Sequence, residues 1–139
     1  MTDDVEGLGI DSPKHPAFAA HFTDPIYDDP ANDFAPFGND EGWDMLASWS
    51  QRADELGPTS TVLDLLEADG EESFGPESLD DDDIDAAMFA VGAAFALLRL
   101  TGQIDAAGRG LAMRALDVLD SCYDRPAEIT RMREDLLAW

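Results

Sequence analysis

One cysteine, one lysine and two histidines occur in the 139 residues, and each scarcity removes a class of explanation. The lone Cys122 cannot close an intramolecular disulfide, so nothing indicates an oxidising compartment, and a cysteine-rich zinc site is excluded. With only His15 and His21 there is no His-Glu-x-x-His arrangement. A hydrolytic triad would need one of them to serve Ser121 or Cys122, and neither lies in a nucleophile-elbow sequence. A Walker-type phosphate loop, a dinucleotide-binding glycine fingerprint, a period-two strand pattern, an Asn-Gly hairpin and an internal repeat are all missing as well. The longest apolar run, Ala86 to Leu98, has 13 residues and suits a core helix better than a bilayer span. No basic-then-apolar segment opens the sequence, so a cytoplasmic location is expected.

What the sequence does contain is acid. The net charge is -23, and residues 1–85 carry 24 Asp and Glu against Lys14 and Arg52, a net of -22. Residues 86–139 carry seven acids against six arginines, a net of -1. So negative a surface repels phosphate backbones and anionic lipid, so neither nucleic acid nor membrane is an expected partner, and cationic surfaces are. Two plainer explanations compete with a specific electrostatic role: solubility, and a salt-adapted proteome that would fit seven arginines beside one lysine. Uniform salt adaptation would spread acids over every surface, and the balanced C-terminal part departs from that.

A 45% hydrophobic content is enough for one core, read as a single helical domain over residues 13–139 behind a loose tail at 1–12. Prolines at 13, 16, 25, 30 and 36 break the first part of this domain into an irregular arm. Phe18, Phe22, Ile26, Tyr27 and Phe34 give the arm more aromatic and apolar surface than a solvated tail needs, so it is expected to pack on the helical body, with Pro16 opening a short helix through His21. Asn39 or Asp40 caps the next helix, with Trp43, Leu46, Ala47, Ser50, Ala53 and Leu56 on one face and Gly57-Pro58 as its stop. Thr59 or Ser60 caps a shorter helix holding Val62, Leu63, Leu65 and Leu66, which Asp69-Gly70 ends. An acidic loop over 70–79 leads to Asp80, Asp81, Asp82 and Asp83, which open the strongest helix.

In that helix Ile84, Met88, Val91, Phe95 and Leu98 recur at spacings of four, three, four and three, and small alanines surround them. It is placed at the centre, with Gly102 as its C-terminal cap. The following helix carries Leu111, Ala115, Val118 and Cys122 on one face, with Leu116, Leu119 and Tyr123 beside it; Pro126 breaks it. A last helix buries Ile129, Met132, Leu136 and Trp139 and leaves Arg131, Arg133, Glu134 and Asp135 to solvent. The fold expected is therefore all-α, a compact bundle of about four to five helices with the Pro- and aromatic-rich arm packed on it.

Three stretches carry a family likeness: His15-Pro16, the run Ala35-Pro36-Phe37-Gly38-Asn39-Asp40-Glu41-Gly42, and Ala93-Ala94-Phe95-Ala96 through Gly102-Gln103-Ile104-Asp105. In order and spacing they resemble the YfeS-like proteins, a bacterial family of unknown function, over residues 15 to 120. A second group of uncharacterised small helical proteins is similar in beginning a first helix after a Phe-x-Asn-Asp segment. The resemblance implies no activity, cofactor or catalytic residue. It marks His15, Pro16, Pro36, Phe37, Gly38, Asn39, Gly42, Gly102 and Asp105 as parts of a shared structural corner.

That corner has a physical reading of its own. Pro36 holds the residue before it extended, Gly38 permits a tight turn, and Asn39 with Asp40 accepts the free amides of a helix start. Architecture comes first, and the functional alternative is a cation site formed by Asp40, Glu41 and Trp43, since carboxylates and an indole face both attract cations. Asp80 to Asp83 do not match a calcium loop, which needs alternating oxygen ligands around a central glycine, so no metal or cofactor is expected. The leading expectation is a non-enzymatic protein that engages a basic protein surface through Asp40, Glu41, Trp43 and Asp80 to Asp83, as immunity proteins and charge mimics do. The alternatives are a metal- or carboxylate-dependent hydrolase at Asp40, Glu41 and His15, and an oligomerising domain pairing through Trp139 and the alanine-rich helix.

Overall fold

The computed structural model describes residues 14–29, 31–68 and 84–139, so the tail, the loop 70–79 and Asp80 to Asp83 lie outside the described residues. Among the described residues there is no strand, and six α-helices follow one another: α1 Pro16–His21, α2 Asp40–Ser50, α3 Val62–Ala68, α4 Ile84–Thr101, α5 Ala106–Tyr123 and α6 Ala127–Ala138. Single 3-10 turns occupy Pro25–Asp28 and Ala53–Glu55. The all-α class read from periodicity is the one found.

The apolar stripe and the alanines of α4 place it at the centre. Every residue from Ala87 to Arg99 except Phe89 is buried, and α2 and α5 lie against it most extensively. By length and composition α4 could cross a membrane, but 67% of it is buried inside this fold, where its alanines let neighbouring helices approach. The closest approach is to α2. A Cβ on Gly92 would sit 2.7 Å from the Gly42 Cα, so position 92 must be glycine for the two backbones to cross there.

This crossing sets the rotation of α2 and corrects the face read from its sequence. With Gly42 turned to α4, helical spacing brings Met45, Leu46 and Trp49 into the core, while Trp43, Ala47 and Ser50 are only half-buried. The helix also stops at Ser50, earlier than Gly57-Pro58 suggests. Arg52 lies over the Trp49 ring, 4.2 Å from its centroid, and grips Glu55 with two hydrogen bonds across the 3-10 turn. The cap of α3 is Thr61, neither Thr59 nor Ser60: Asp64 N–H donates to Thr61 Oγ1 at 3.1 Å and Thr61 N–H returns a bond to Asp64 Oδ2 at 3.0 Å, a reciprocal capping box. Ser60 Oγ instead accepts from Gly57 N–H.

Gly102 ends α4 in the left-handed region at φ +71°, and its N–H donates to Leu98 O. Asp105 then joins two helices: one oxygen accepts Gly108 N–H at the start of α5, and the other accepts Val62 N–H at the start of α3. α5 runs back along α4 and α6 back along α5, where Arg133 bridges Asp117 and Asp120 and Arg109 donates to the Leu136 carbonyl. Two expectations change here. Cys122 is exposed, because the buried face of α5 ends at Leu119. Arg133 and Asp135 are not left to solvent; Arg133 is held by its two aspartates, and Asp135 accepts a 2.7 Å hydrogen bond from the Tyr27 hydroxyl.

The arm packs as expected. Phe18, Phe22 and Tyr27 are buried, with Phe22 edge-on to Phe95 of α4 and stacked on Trp139 at the chain end. Burial, reinforced by the Asp135 carboxylate, pushes the Tyr27 hydroxyl well above the ordinary phenol range, so it remains a donor. The arm's polar anchor is Arg99, only 1% exposed although it is charged. Its guanidinium donates to Asp28 Oδ1 at 3.1 Å and to the Tyr27 carbonyl at 3.4 Å, and it lies 5.6 Å from the Phe37 ring centroid. Lys14 grips the other Asp28 oxygen at 2.7 Å. Burial alone would raise the Asp28 carboxyl, but the hydrogen bonds and charges of Lys14 and Arg99 outweigh it and hold the group below the usual carboxylate range.

Three stability outcomes follow. Gly92→Ala will destabilise the fold by about 1–3 kcal/mol through backbone overpacking, whereas Gly110→Ala, with nothing within 4 Å of a new Cβ, will stabilise it by about 0.5–1 kcal/mol; urea unfolding reads both. Asp28→Asn will lose about 1–2 kcal/mol at neutral pH, less than for a fully buried pair because the Asp28 side chain is 45% exposed. Because the folded carboxyl titrates below its unfolded value, this gap is complete above roughly pH 4 and closes as pH falls through the folded value, where the wild-type carboxyl is also protonated. Unfolding curves of both proteins from pH 7 to pH 3 check it.

Candidate functional site

The corner Ala35–Gly42 is built from Asn39 outward. Its Oδ1 accepts Gly42 N–H at 2.7 Å as the cap of α2, while its Nδ2 donates to the carbonyls of Asp33 and Ala35, both at 3.1 Å. One side chain therefore caps the helix and folds the preceding loop. A Cβ on Gly38 would lie 1.9 Å from the Asn32 carbonyl oxygen and one on Gly42 1.8 Å from that of Pro36, so the loop closes tightly only with glycine at both places. Asn32 ties the loop to α6 by donating to Glu128 at 2.9 Å. Phe37 is fully buried and faces Arg99.

The other resembling stretches arrive at the same part of α4. His15 N–H donates to the Arg99 carbonyl at 2.7 Å, and the His15 ring covers Gly102 so closely that a Cβ there would be 2.4 Å from Nδ1. That Nδ1 accepts Ala17 N–H, so the imidazole caps α1, with Pro16 as the first helical residue. His15, Pro16, Pro36, Phe37, Gly38, Asn39, Gly42, Gly102 and Asp105 thus have architectural roles, and three of the segments they mark meet around the C-terminal half of α4.

Asp40 and Glu41 follow the cap into the first turn of α2, at the end of the bundle where α4 begins and α5 finishes. There a shallow depression of about 280 Å³ is lined by Asp33, Gly38, Asn39, Asp40, Glu41, Ile84, Asp85, Met88 and Tyr123. Four carboxylates surround a small apolar floor. No ion pair is formed by Asp33, Asp40, Glu41 or Asp85 among the described residues; Asp40, Glu41 and Asp85 sit in first turns of helices, where the dipole favours a negative charge. Cations are engaged elsewhere: Lys14 and Arg99 with Asp28, Arg52 with Glu55, Arg131 with Asp24 and Asp135, and Arg133 with Asp117 and Asp120.

The aromatic edge of this site is not Trp43, which does not line it. Tyr123, 39% exposed, takes that place, and Phe34 fixes its ring edge-on at 4.9 Å between centroids. Asp33, Asp85 and Tyr123 belong to the site and were not legible as such. Tyr123 reads in sequence as a core position of α5, and Asp33 as a loop acid among many.

His15 does not join Asp40 and Glu41. It sits at the opposite end of α4, a helix about 25 Å long at 1.5 Å per residue. Among the described residues no group of three or more His, Cys, Asp or Glu side chains is arranged to hold a metal ion. Trp139 and the α4 alanines, considered above as a pairing surface, are engaged within the chain: Trp139 against His21 and Phe22, the alanines in the core. No family model, curated protein or solved structure matches this chain.

Substitution separates the architectural groups from the charged ones. Asn39→Ala will cost about 1–2 kcal/mol as a lost cap, and Asp105→Ala at least as much because two helix starts lose an acceptor. Asp40→Asn with Glu41→Gln will stay within about 0.5 kcal/mol of wild type, since the lost dipole interaction is offset by reduced repulsion. Thermal unfolding of the three variants at moderate salt is the check.

Proposed function

We propose that this chain is a binding domain that engages a basic protein surface through the acidic end of its bundle. The observation that carries the reading is the set of carboxylates that form no ion pair among the described residues, Asp33, Asp40, Glu41 and Asp85, around a depression edged by Tyr123. Asp80 to Asp83 run directly into Ile84 in the sequence and are included in the proposed surface. Asp29, Asp44, Asp54 and Asp64 also form no ion pair among the described residues, but none of them lines this depression, where four such carboxylates come together. An arginine or lysine of a partner would meet carboxylates on several sides and the exposed Tyr123 ring on one. Four or more unneutralised charges also steer a cationic partner during encounter, an effect that salt screens.

Binding is proposed over hydrolysis because the carboxylates lie far from His15, leaving no imidazole to pair with them as base or ligand. A place among the YfeS-like proteins and a cytoplasmic location form part of the same proposal. What supports the first is that the other two resembling stretches both pack on the α4 stretch, His15 through its N–H bond to the Arg99 carbonyl and Phe37 beside the Arg99 guanidinium.

The test compares wild type with Asp33→Asn, Asp40→Asn, Glu41→Gln and Asp85→Asn combined, each used as bait in native lysate at low and high salt. A discrete basic protein retained by wild type at low salt, and lost at least tenfold both in high salt and with the fourfold variant, is the expected outcome. Equal retention by the variant, which keeps most of the net charge of -23, would show that any attraction is generic and the site is not the contact.

A further inference from the structure

We draw no further inference here: the strongest candidate, the polar cavity of about 460 Å³ at the turn between α5 and α6 lined by Asp117, Asp120, Ser121, Asp124 and Arg125, is an acidic cluster whose one unpartnered buried atom, Asp120 Oδ1, belongs to a carboxylate that is 16% exposed and already ion-paired with Arg133.

Discussion

A guanidinium removed from water must find its compensation inside the protein, and the position of Arg99 makes that requirement organise the whole fold. Arg99 sits near the end of the most apolar helix, within a surface that is otherwise alanine, leucine and phenylalanine. Asp28 and the Tyr27 carbonyl reach it from the arm, and Phe37 packs near it from the corner before α2. The arm has short helical pieces that would not persist alone. Its course over the bundle is fixed by one buried charged anchor and an aromatic cluster, Phe18, Phe22 and Tyr27, which buries against Phe95 and Trp139. Tyr27 joins the two kinds of contact, since its backbone serves Arg99 and its hydroxyl serves Asp135 of α6.

The acids of the described residues fall into those with an ion-pair partner and those without. Acids close to arginines or Lys14 are structural: they hold the arm, the Ala53–Glu55 turn and the α5–α6 pair. Acids at the start of α2 and α4 have no such partner and face solvent around the depression beside Tyr123. Because basic residues are few in residues 1–85, the acidic excess there exceeds what folding can neutralise. Solubility explains an excess in general. It does not explain why four of the unpaired carboxylates gather beside an oriented aromatic ring, and this is what favours a partner surface.

Much of the fold was legible because α4, α5 and α6 obey simple helical spacing and carry clear stops at Gly102 and Pro126. The arm's packing was legible from its aromatics, and the corner from Pro36, Gly38 and Asn39. The face of α2 was not, since its rotation is set by two glycines, Gly42 and Gly92, whose meeting is a tertiary fact that hydrophobic spacing does not record. In the sequence Arg99 directly follows the apolar run Ala86 to Leu98, which makes it look like that run's polar end. The available signal was that α4 is apolar on all sides, which leaves a charge in its last turns no exposed face. For the candidate site, Asp40 read as a cap alongside Asn39, whereas Asn39 alone caps α2 and Asp40 and Glu41 occupy its first turn; their companions come from distant segments. Only the antiparallel return of α5 brings Tyr123 to Ile84.

The claim on which this account rests is that Arg99 specifies the position of the arm while the bundle stands on its apolar core. Amide hydrogen exchange of Arg99→Met tests it most directly, because methionine preserves apolar volume and removes only the charge and its hydrogen bonds. The account predicts at least tenfold faster exchange at residues 17–29, with α5 and the first three turns of α4 still protected. Unchanged protection throughout the arm would contradict it and assign the arm's position to its aromatic side chains alone.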